Sequence, residues 1–571
     1  MATTGILRSR RSAAQLHAIA SVERTIGAID PSAGCKYLRD FREAYRSYEK
    51  VLAPSDVRDE IAKAGIVLVG DYHALPNSQR YLASLLRAPE LHHRPIGLGV
   101  ETIFSRDQHI LDEWFRGEID EDELRQRIRF ELDWGYEWAP FYELLSAARD
   151  HGASIYGLDC MPREDLRKIG ARDRHAADKI AELRRRHADA LIIVLFGESH
   201  LAPQHLPALL QQQLPAEPLL TVLQNVDALY WRAAGEARDH VEAVEVRENV
   251  LCVFNATPLE KYETYRLWLD RWGRSDNDSA PDLGPTLYNL IDGMVRFLGI
   301  NQYSSHNTTQ PRLLVDLMPE VYSRSSDALL RRLLSRKGFT AEHRRSLLRQ
   351  VRERGSVYLT PINAVYMRQF RMASSAEDAT RFLHQACRGL PNLSKGMALA
   401  QHAAPNAASV AQSLDKDDAF YMAVFEHALG FFGSRILYPA RPALRDNDLA
   451  DLFDVTREDL EQQTALPFAD AVDALDFLIQ HRECDFRDNH RSQSQPSESL
   501  AQAPAFTGRK YEYVAEQLGY LTGTDLYDAY IEGRLTTAAL RKLFLTHIEQ
   551  PGVAREAYVQ LRTRLRSGRG V

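Results

Sequence analysis

The stretch Ile66-Val67-Leu68-Val69-Gly70-Asp71-Tyr72-His73 decides the fold of the N-terminal half of this chain. Its apolar, mostly β-branched residues predict a buried strand, and the Gly-x-x-His that follows places an imidazole just past the carboxyl end of that strand. A second segment has the same form, with the apolar run 191–196 followed by Gly197-Glu198-Ser199-His200. Ligands bind at the carboxyl ends of strands in open parallel sheets, so we predict that His73 and His200 share one site.

Short apolar runs alternate with segments of helical period between residues 66 and 269. The runs lie at 66–69, 96–100, 154–158, 191–196, 219–223 and 250–254, and the helical segments lie near 78–88, 106–116, 121–129, 140–151 and 163–186. Strand, helix and strand at this spacing predict an α/β domain, with a mainly parallel sheet flanked by helices on both faces.

Amino-acid composition predicts where the other domains and linkers of the chain begin and end. The segment 273–285 (GRSDNDSAPDLGP) is typical of a linker, and 491–507 is poor in apolar residues and predicted to be disordered. Between them and after them, apolar residues recur at helical spacing. We predict a helical segment at 1–60 with a surface helix over 39–51, the α/β domain at 61–272, an α-helical domain at 286–490 and a helical tail at 508–571.

Composition and charge indicate the cellular compartment of the protein and the kinds of partner that it binds. The chain has 571 residues, a net charge of -7 and five cysteines, none of them in a CxxC pair. These features favour a protein of a reducing compartment that does not bind nucleic acid, and we interpret the basic segment 331–354 as a solvated helix face. No secretory signal is visible, and the longest apolar stretch, 419–438, is interrupted by charged residues, so we expect a cytoplasmic protein without a transmembrane segment.

A carboxylate completes the predicted site. Glu101 directly follows the apolar run 96–100, and an unpaired charge there would be costly. Two histidines and a carboxylate, here His73, His200 and Glu101, suit a divalent metal or an acid–base pair acting on water. Asp159 also ends an apolar run and is a candidate fourth ligand. Zinc, manganese, iron and cobalt are all compatible with this set of ligands.

Further residues near these motifs are candidates for other roles. Glu198 and Asp71 lie inside the motifs, where each could ligate a metal or orient an imidazole. Glu101 and Glu198 are the two candidates for moving the proton. Tyr72 could ligate haem iron as a phenolate. Trp134 belongs to an aromatic segment that could form one wall of a substrate pocket. Arg163 has the planar fork that suits a substrate carboxylate, a phosphate or a haem propionate.

The segment from Ile66 to about Leu210 resembles the ChaN-like haem-binding-uptake family, part of the Tiki and erythromycin-esterase-like superfamily. The matching pieces are GDYH at 70–73, the strand that ends in Glu101, RDQ at 106–108, DWGYEW at 133–138, Pro162-Arg163, Arg172-Asp173 and GESH at 197–200.

This resemblance implies three functions. Tiki-type members resemble metal-dependent proteases that use two GxxH histidines and a glutamate, which correspond to His73, His200 and Glu101. Erythromycin-esterase-like members resemble hydrolases in which His and Glu activate water without an obligatory metal. ChaN itself binds haem. We therefore expect a hydrolase of amide or ester bonds in a small-molecule or peptide substrate, with a haem- or iron-binding module and a catalytically degenerate scaffold as alternatives.

Overall fold

The computed structural model of the chain contains two compact units, Val22–Asn277 and Met1–Ser21 together with Asp278–Val571. The structure describes residues 2–30, 35–163, 168–235, 241–272, 281–300, 317–323, 326–336, 339–388, 416–487, 503–548 and 550–566. The first 21 residues therefore group with the C-terminal unit, whereas the sequence predicts a separate N-terminal segment at 1–60.

The unit Val22–Asn277 is built on an eight-stranded sheet. Its strands are β1 (Lys50–Leu52), β2 (Ile66–Asp71), β3 (Ile96–Phe104), β4 (Ser154–Asp159), β5 (Leu191–Gly197), β6 (Leu219–Gln224), β7 (Ala243–Arg247) and β8 (Val250–Val253). The strand order is β1-β7-β8-β6-β2-β5-β3-β4. All neighbours from β8 to β4 are parallel, and β7 pairs antiparallel with both β8 and β1. The predicted α/β class with a mainly parallel sheet is confirmed.

Helices cover both faces of this sheet because the central strands are apolar on both sides. Along β5, Leu191, Ile193 and Leu195 join one hydrophobic core, and Ile192 and Val194 join the other. Residues 22–29, the end of the helix Ala2–Ile29, belong to this unit. Its other helices are Lys36–Ala44, Pro54–Lys63, Pro76–Leu86, Gln108–Phe115, Glu121–Arg127, Phe130–Asp133, Trp138–His151, Ile169–Arg186, Leu206–Gln213, Asp227–Gly235 and Pro258–Trp272.

The predicted surface helix over 39–51 is wrong at its C-terminal end. The helix ends at Ala44, and Lys50–Leu52 forms the edge strand β1. Val51 pairs with Val244 of β7, so a partner distant in the sequence decides the conformation of this short segment. The strand β7 itself was not predicted, since its alternating residues gave no continuous apolar run.

The second unit is largely helical, as predicted, but it also contains a three-stranded sheet. Its strands are β9 (Glu320–Ser323), β10 (Ser356–Leu359) and β11 (Ala364–Met367), in the order β10-β11-β9. The helices are Gly284–Leu298, Asp327–Leu334, Ala341–Arg354, Met372–Arg388, Lys416–Leu437, Asp446–Asp451, Arg457–Thr464, Phe468–Arg487, Gly508–Ile531, Thr537–Phe544 and Val553–Arg566.

Two predicted segments fall largely on residues whose structure is not described. Most of the predicted linker, 273–280, lies outside the described residues, and so does 491–502 of the segment predicted to be disordered. Among the helices that are described, none is long and apolar enough to cross a membrane.

Candidate functional site

The strand order places the two GxxH motifs on either side of Glu101. The strand β5 lies between β2 and β3, so the carboxyl ends of these three strands are adjacent. His73 follows β2, His200 follows β5, and Glu101 lies within β3, where the pairing with β4 shifts register between Val100 and Phe104. The structure therefore brings together the three residues that the sequence predicted to share a site.

His73 is held by the aspartate of its own motif. Its Nδ1 lies 2.8 Å from Oδ2 of Asp71, and Gln79 donates to the other oxygen of Asp71 over 2.5 Å. The ring is thereby turned so that Nε2 lies 3.8 Å from Oε2 of Glu101. Burial alone would lower the pKa of His73, but the charges of Asp71 and Glu101 outweigh it and raise this pKa above its ordinary value.

His200 is held in the same way by an aspartate on another element. Its Nδ1 contacts Asp173 of the helix Ile169–Arg186, and the hydroxyl of Tyr37 donates to the second oxygen of Asp173 over 2.9 Å. Nε2 of His200 lies 3.8 Å from Oε1 of Glu101. Two imidazoles, each oriented by a carboxylate, thus point at opposite oxygens of one glutamate.

Glu101 is buried and charged. Arg172 donates to its Oε1 over 2.6 Å, and the backbone N–H of Gly197 donates to Oε2 over 2.6 Å. Burial acts to raise the pKa of Glu101, but His200, His73 and Arg172 lower it below its ordinary value. The side chain is therefore an anion with a hydrogen bond already made at each oxygen.

Gly197 leaves the space in which this cluster forms. A Cβ at this position would lie 3.1 Å from both Oε2 of Glu101 and Nε2 of His73. The corresponding Gly70 of the first motif has no such neighbour, since its closest contact would be Cδ1 of Leu201 at 3.5 Å. The glycine of the second motif is thus needed for close approach, in addition to any role in the turn.

Asp159 and Arg163 bind each other and neighbouring groups. Asp159 accepts from Nε of Arg172 over 2.8 Å and from Nε of Arg163 over 2.7 Å. The remaining donors of Arg163 reach the carbonyls of Asp133 and Glu101 at 2.5 and 2.9 Å. The roles of Asp159 as a metal ligand and of Arg163 in binding a substrate anion remain predictions, and each would have to replace one of these contacts.

Glu198 is paired with a buried cation. The ammonium of Lys261 lies 3.1 and 3.2 Å from its two oxygens, and both side chains are buried. The same ammonium lies 4.5 Å above the ring of Tyr72. The catalytic role of Glu198 remains a prediction, and this pairing does not favour it.

Trp134 lies beside His73. The two ring centroids are 4.4 Å apart, and Tyr136 lies 5.4 Å from the same imidazole. Only 8% of Trp134 is exposed, so the indole excludes water from one side of the imidazole. Its predicted contact with a substrate remains a prediction.

The residues present do not fit a resident metal. Among the described residues, no group of three or more His, Cys, Asp and Glu side chains has the arrangement of a metal site. The guanidinium of Arg172 lies 2.6 Å from Oε1 of Glu101, where a bound dication would meet a like charge. The predicted ligands His73, Glu101 and His200 are close together, but with Asp159 they do not form a metal site among the described residues.

The surroundings of Tyr72 favour its protonated form, and its ligation of haem iron remains a prediction. Burial and the neighbouring charge of Glu198 raise the pKa of Tyr72 well above its ordinary value, which opposes loss of the phenolic proton. The ring instead packs against the ammonium of Lys261 and against Tyr265, whose centroid is 5.9 Å away.

Part of the chain is similar to a known family. Residues 57–200 match the family model described as haem-binding uptake, Tiki superfamily, ChaN. The matched range contains both GxxH motifs and Glu101, and the resemblance predicted from the sequence is confirmed over it.

One solved structure is similar to part of the chain. It is titled "Cofacial heme binding to ChaN of Campylobacter jejuni", and the match covers 31% of this chain and 87% of that chain, at 16% identity and a TM-score of 0.26. No curated protein matches the chain.

Sequence reasoning did not assign roles to three residues of the site. Arg172 and Asp173 were noticed only as a motif of the family, and Lys261 only as part of the segment that closes the domain. Each acts on a residue far away in the chain: Asp173 is 27 positions from His200, and Lys261 is 63 positions from Glu198. A buried charge pair that joins distant elements leaves no local pattern in the sequence.

Proposed function

We propose that the ChaN-like domain hydrolyses ester or amide bonds, with His73 activating the water and no metal taking part. One observation carries this proposal. Nε2 of His73 faces an ionised carboxylate while 22% of the side chain is exposed, so the side chain is partly open to solvent. His200 has the same partners, but only 5% of its side chain is exposed. A general base must reach the proton that it removes, and His73 meets this requirement.

The proposed reaction needs only groups that the site contains. Asp71 accepts a hydrogen bond from Nδ1–H of His73 and so keeps the lone pair on Nε2. This nitrogen takes a proton from water as the water oxygen attacks the carbonyl carbon, which forms a tetrahedral intermediate. The same nitrogen then returns the proton to the leaving oxygen or nitrogen as its bond to carbon breaks. The products are an acid and an alcohol or amine.

Glu101 stabilises the proton on His73 between these two steps. A carboxylate 3.8 Å from Nε2 attracts the imidazolium, and the low-dielectric surroundings strengthen that attraction. Arg172 and the N–H of Gly197 in turn keep Glu101 ionised and fixed. Glu101 therefore acts through its charge, while His73 carries the proton.

Activity of the purified full-length protein tests this proposal. We would measure it on a panel of p-nitrophenyl esters and fluorogenic peptide amides. His73→Asn should reduce kcat/KM on any substrate found by roughly 10²–10⁴-fold, the range for loss of a general base. His93→Asn is the matched control, because His93 is exposed on a surface loop outside the site.

The metal and haem alternatives are tested on the same preparation. Elemental analysis, and activity before and after EDTA, should show no dependence on a bound metal. One equivalent of metal, lost together with activity in His73→Asn, would contradict the metal-free proposal. A Soret band on titration with haem, without hydrolysis of any substrate in the panel, would instead support the haem-binding module.

A further inference from the structure

The proposed reaction creates a negative charge on the substrate and needs a hydrogen-bond donor there. As water attacks, an electron pair of the C=O double bond moves to the carbonyl oxygen, and a donor aimed at this oxygen lowers the barrier. Arg172 and the N–H of Gly197 already donate to Glu101. Gln79 already donates to Asp71. The oxyanion therefore requires a further donor beside the reacting imidazole.

Tyr136 lies beside His73 and has a hydroxyl that no protein group engages. The centroids of the two rings are 5.4 Å apart. Across the part of the chain that the structure describes, no hydrogen bond engages this hydroxyl, and it is not one of the buried polar atoms that lack a partner. A polar atom that is neither paired nor buried is open to solvent, so the hydroxyl of Tyr136 can donate to a bound molecule.

The hydroxyl of Tyr136 lies near the carboxylates of the site and keeps its proton. Burial is the main cause that raises the pKa of this phenol, and the charges of Asp71 and Glu101 raise it further, together with Tyr265. Asp71 and Glu101 are the two carboxylates that face the nitrogens of His73. A phenol in these surroundings stays neutral and acts as a hydrogen-bond donor.

Tyr136 is held in place on the helix Pro258–Trp272. Its ring stacks on Trp268, with the centroids 4.6 Å apart and an angle of 17° between the planes. Nε1 of Trp268 donates to the carbonyl of Gly135 over 3.1 Å, which fixes the backbone next to Tyr136. Gly135 has a φ of 72°, and a Cβ there would collide with the ring of Trp272. A donor that is already fixed needs little reorganisation while charge develops.

We propose that the hydroxyl of Tyr136 donates a hydrogen bond to the carbonyl oxygen of an uncharged ester or amide and stabilises the oxyanion of the tetrahedral intermediate. This role rests on the proposed function. The phenolic proton stays on Tyr136 throughout, and His73 carries the proton that is transferred. When the leaving group departs, the electron pair returns from the oxygen to rebuild the C=O bond. A neutral donor beside two carboxylates disfavours anionic substrates such as phosphate monoesters.

Tyr136→Phe tests the role of the hydroxyl, because it keeps the ring and its stacking. This variant should reduce kcat by roughly 10²–10³-fold on any ester or amide that the protein hydrolyses, the range for loss of one oxyanion donor, and change KM little. Hydrolysis of p-nitrophenyl phosphate as fast as of the esters would contradict the substrate class.

The matched control is Tyr265→Phe, which removes a hydroxyl from the same group of aromatic rings. Tyr265 lies 5.6 Å from Trp268, but its hydroxyl donates to Asp30 over 2.7 Å. This variant should keep the kcat of the wild type. An equal fall of kcat in both variants would overturn the proposal. Circular dichroism melting of both checks that they remain folded.

A tetrahedral ligand tests the hydroxyl without turnover. An aryl trifluoromethyl ketone hydrates readily to a tetrahedral diol, whereas the corresponding methyl ketone stays planar. A ¹⁹F NMR titration measures the Kd of the first, and competition measures that of the second. Tyr136→Phe should weaken binding of the trifluoromethyl ketone roughly tenfold or more and change binding of the methyl ketone much less. Equal changes for the two ketones, or no change, would overturn the proposal.

The ketone measurement separates failure of this role from failure of the hydrolase proposal. If no substrate is hydrolysed but the selective loss occurs, the role of Tyr136 stands and the proposed reaction fails on that panel. Trp134→Phe removes the indole N–H beside the same imidazole, on a ring 5.5 Å from that of Tyr136. A greater selective loss in Trp134→Phe than in Tyr136→Phe would assign the oxyanion contact to the indole, and the proposal would be wrong.

Discussion

The two halves of the candidate site have the same chemistry but different surroundings. In each, an aspartate holds Nδ1 of a histidine and directs Nε2 toward an oxygen of Glu101, at 3.8 Å in both cases. The first half takes its aspartate from the end of the preceding strand β2, two residues before His73, and leaves the ring partly exposed. The second takes its aspartate from a helix, and there His200 is buried.

This difference assigns the two halves to different tasks. The exposed half can exchange a proton with water and substrate, while the buried half connects the helix Ile169–Arg186 to the strands β3 and β4. Arg172 and Asp173 of that helix make the connection: Arg172 binds Glu101 and Asp159, and Asp173 binds His200. We therefore expect substitutions in the buried half to affect stability most and substitutions in the exposed half to affect turnover most.

The largest effect on stability should come from Arg172→Met. This change leaves the buried carboxylates of Glu101 and Asp159 without their shared cation, and breaking a buried ion pair in this way costs roughly 3–5 kcal/mol. Urea denaturation measures the change in the free energy of unfolding.

The matched control for Arg172→Met is Arg116→Met. Arg116 pairs with Glu118 at 2.7 Å on the surface, where both side chains are more than half exposed, so the loss should stay below about 1 kcal/mol. Equal losses in the two variants would show that the buried half does not hold the site together.

A smaller effect should separate the two glycines of the motifs. Gly197→Ala places a Cβ 3.1 Å from both Glu101 and His73, and we expect a loss of roughly 1–3 kcal/mol in stability, as for overpacking, together with reduced kcat. Gly70→Ala meets its nearest atom at 3.5 Å, an ordinary contact, and should change both quantities much less. Denaturation and kinetics on the same two variants measure this, and a reversed order would contradict the close packing around Gly197.

The central residues of both halves were predictable from the sequence, and the partners within the buried half were not. Apolar runs followed by Gly-x-x-His predict strand ends, and the strand order then brings His73, His200 and Glu101 together. The pairing of Asp71 with His73 is local, so its orienting role could be anticipated. The pairing of Asp173 with His200 depends on how the helix Ile169–Arg186 packs on the sheet, which no local pattern specifies.

The same limit applies to the partners of Arg163, Asp159 and Glu198. Their side chains have the chemistry of substrate or metal ligands, and the sequence gives only that chemistry. The structure shows that the fork of Arg163 is already filled by Asp159 and backbone carbonyls, and that Lys261 neutralises Glu198. Whether a charged residue serves a ligand or the fold is decided by which partners the tertiary structure supplies, and this cannot be inferred from position alone.

The smallest effect, a shift in pH dependence, should distinguish the two aspartates. Activity requires neutral His73, whose pKa is raised above 6.5 because Asp71 and Glu101 outweigh the opposing effect of burial. In the wild type, kcat/KM should therefore increase with pH through a value above 6.5. Asp71→Asn removes the main charge that raises this pKa, so the acidic limb should move to lower pH while the maximum rate falls. Stability should change in a related way: protonated His73 stabilises the wild-type fold below pH 6.5, and this contribution is lost as pH rises through the higher folded pKa.

Asp173→Asn is the control, since Asp173 contacts His200 rather than His73, and it should leave the acidic limb in place. An equal shift in both variants would mean that the two histidines titrate as one unit, and the assignment of proton transfer to His73 alone would then be wrong.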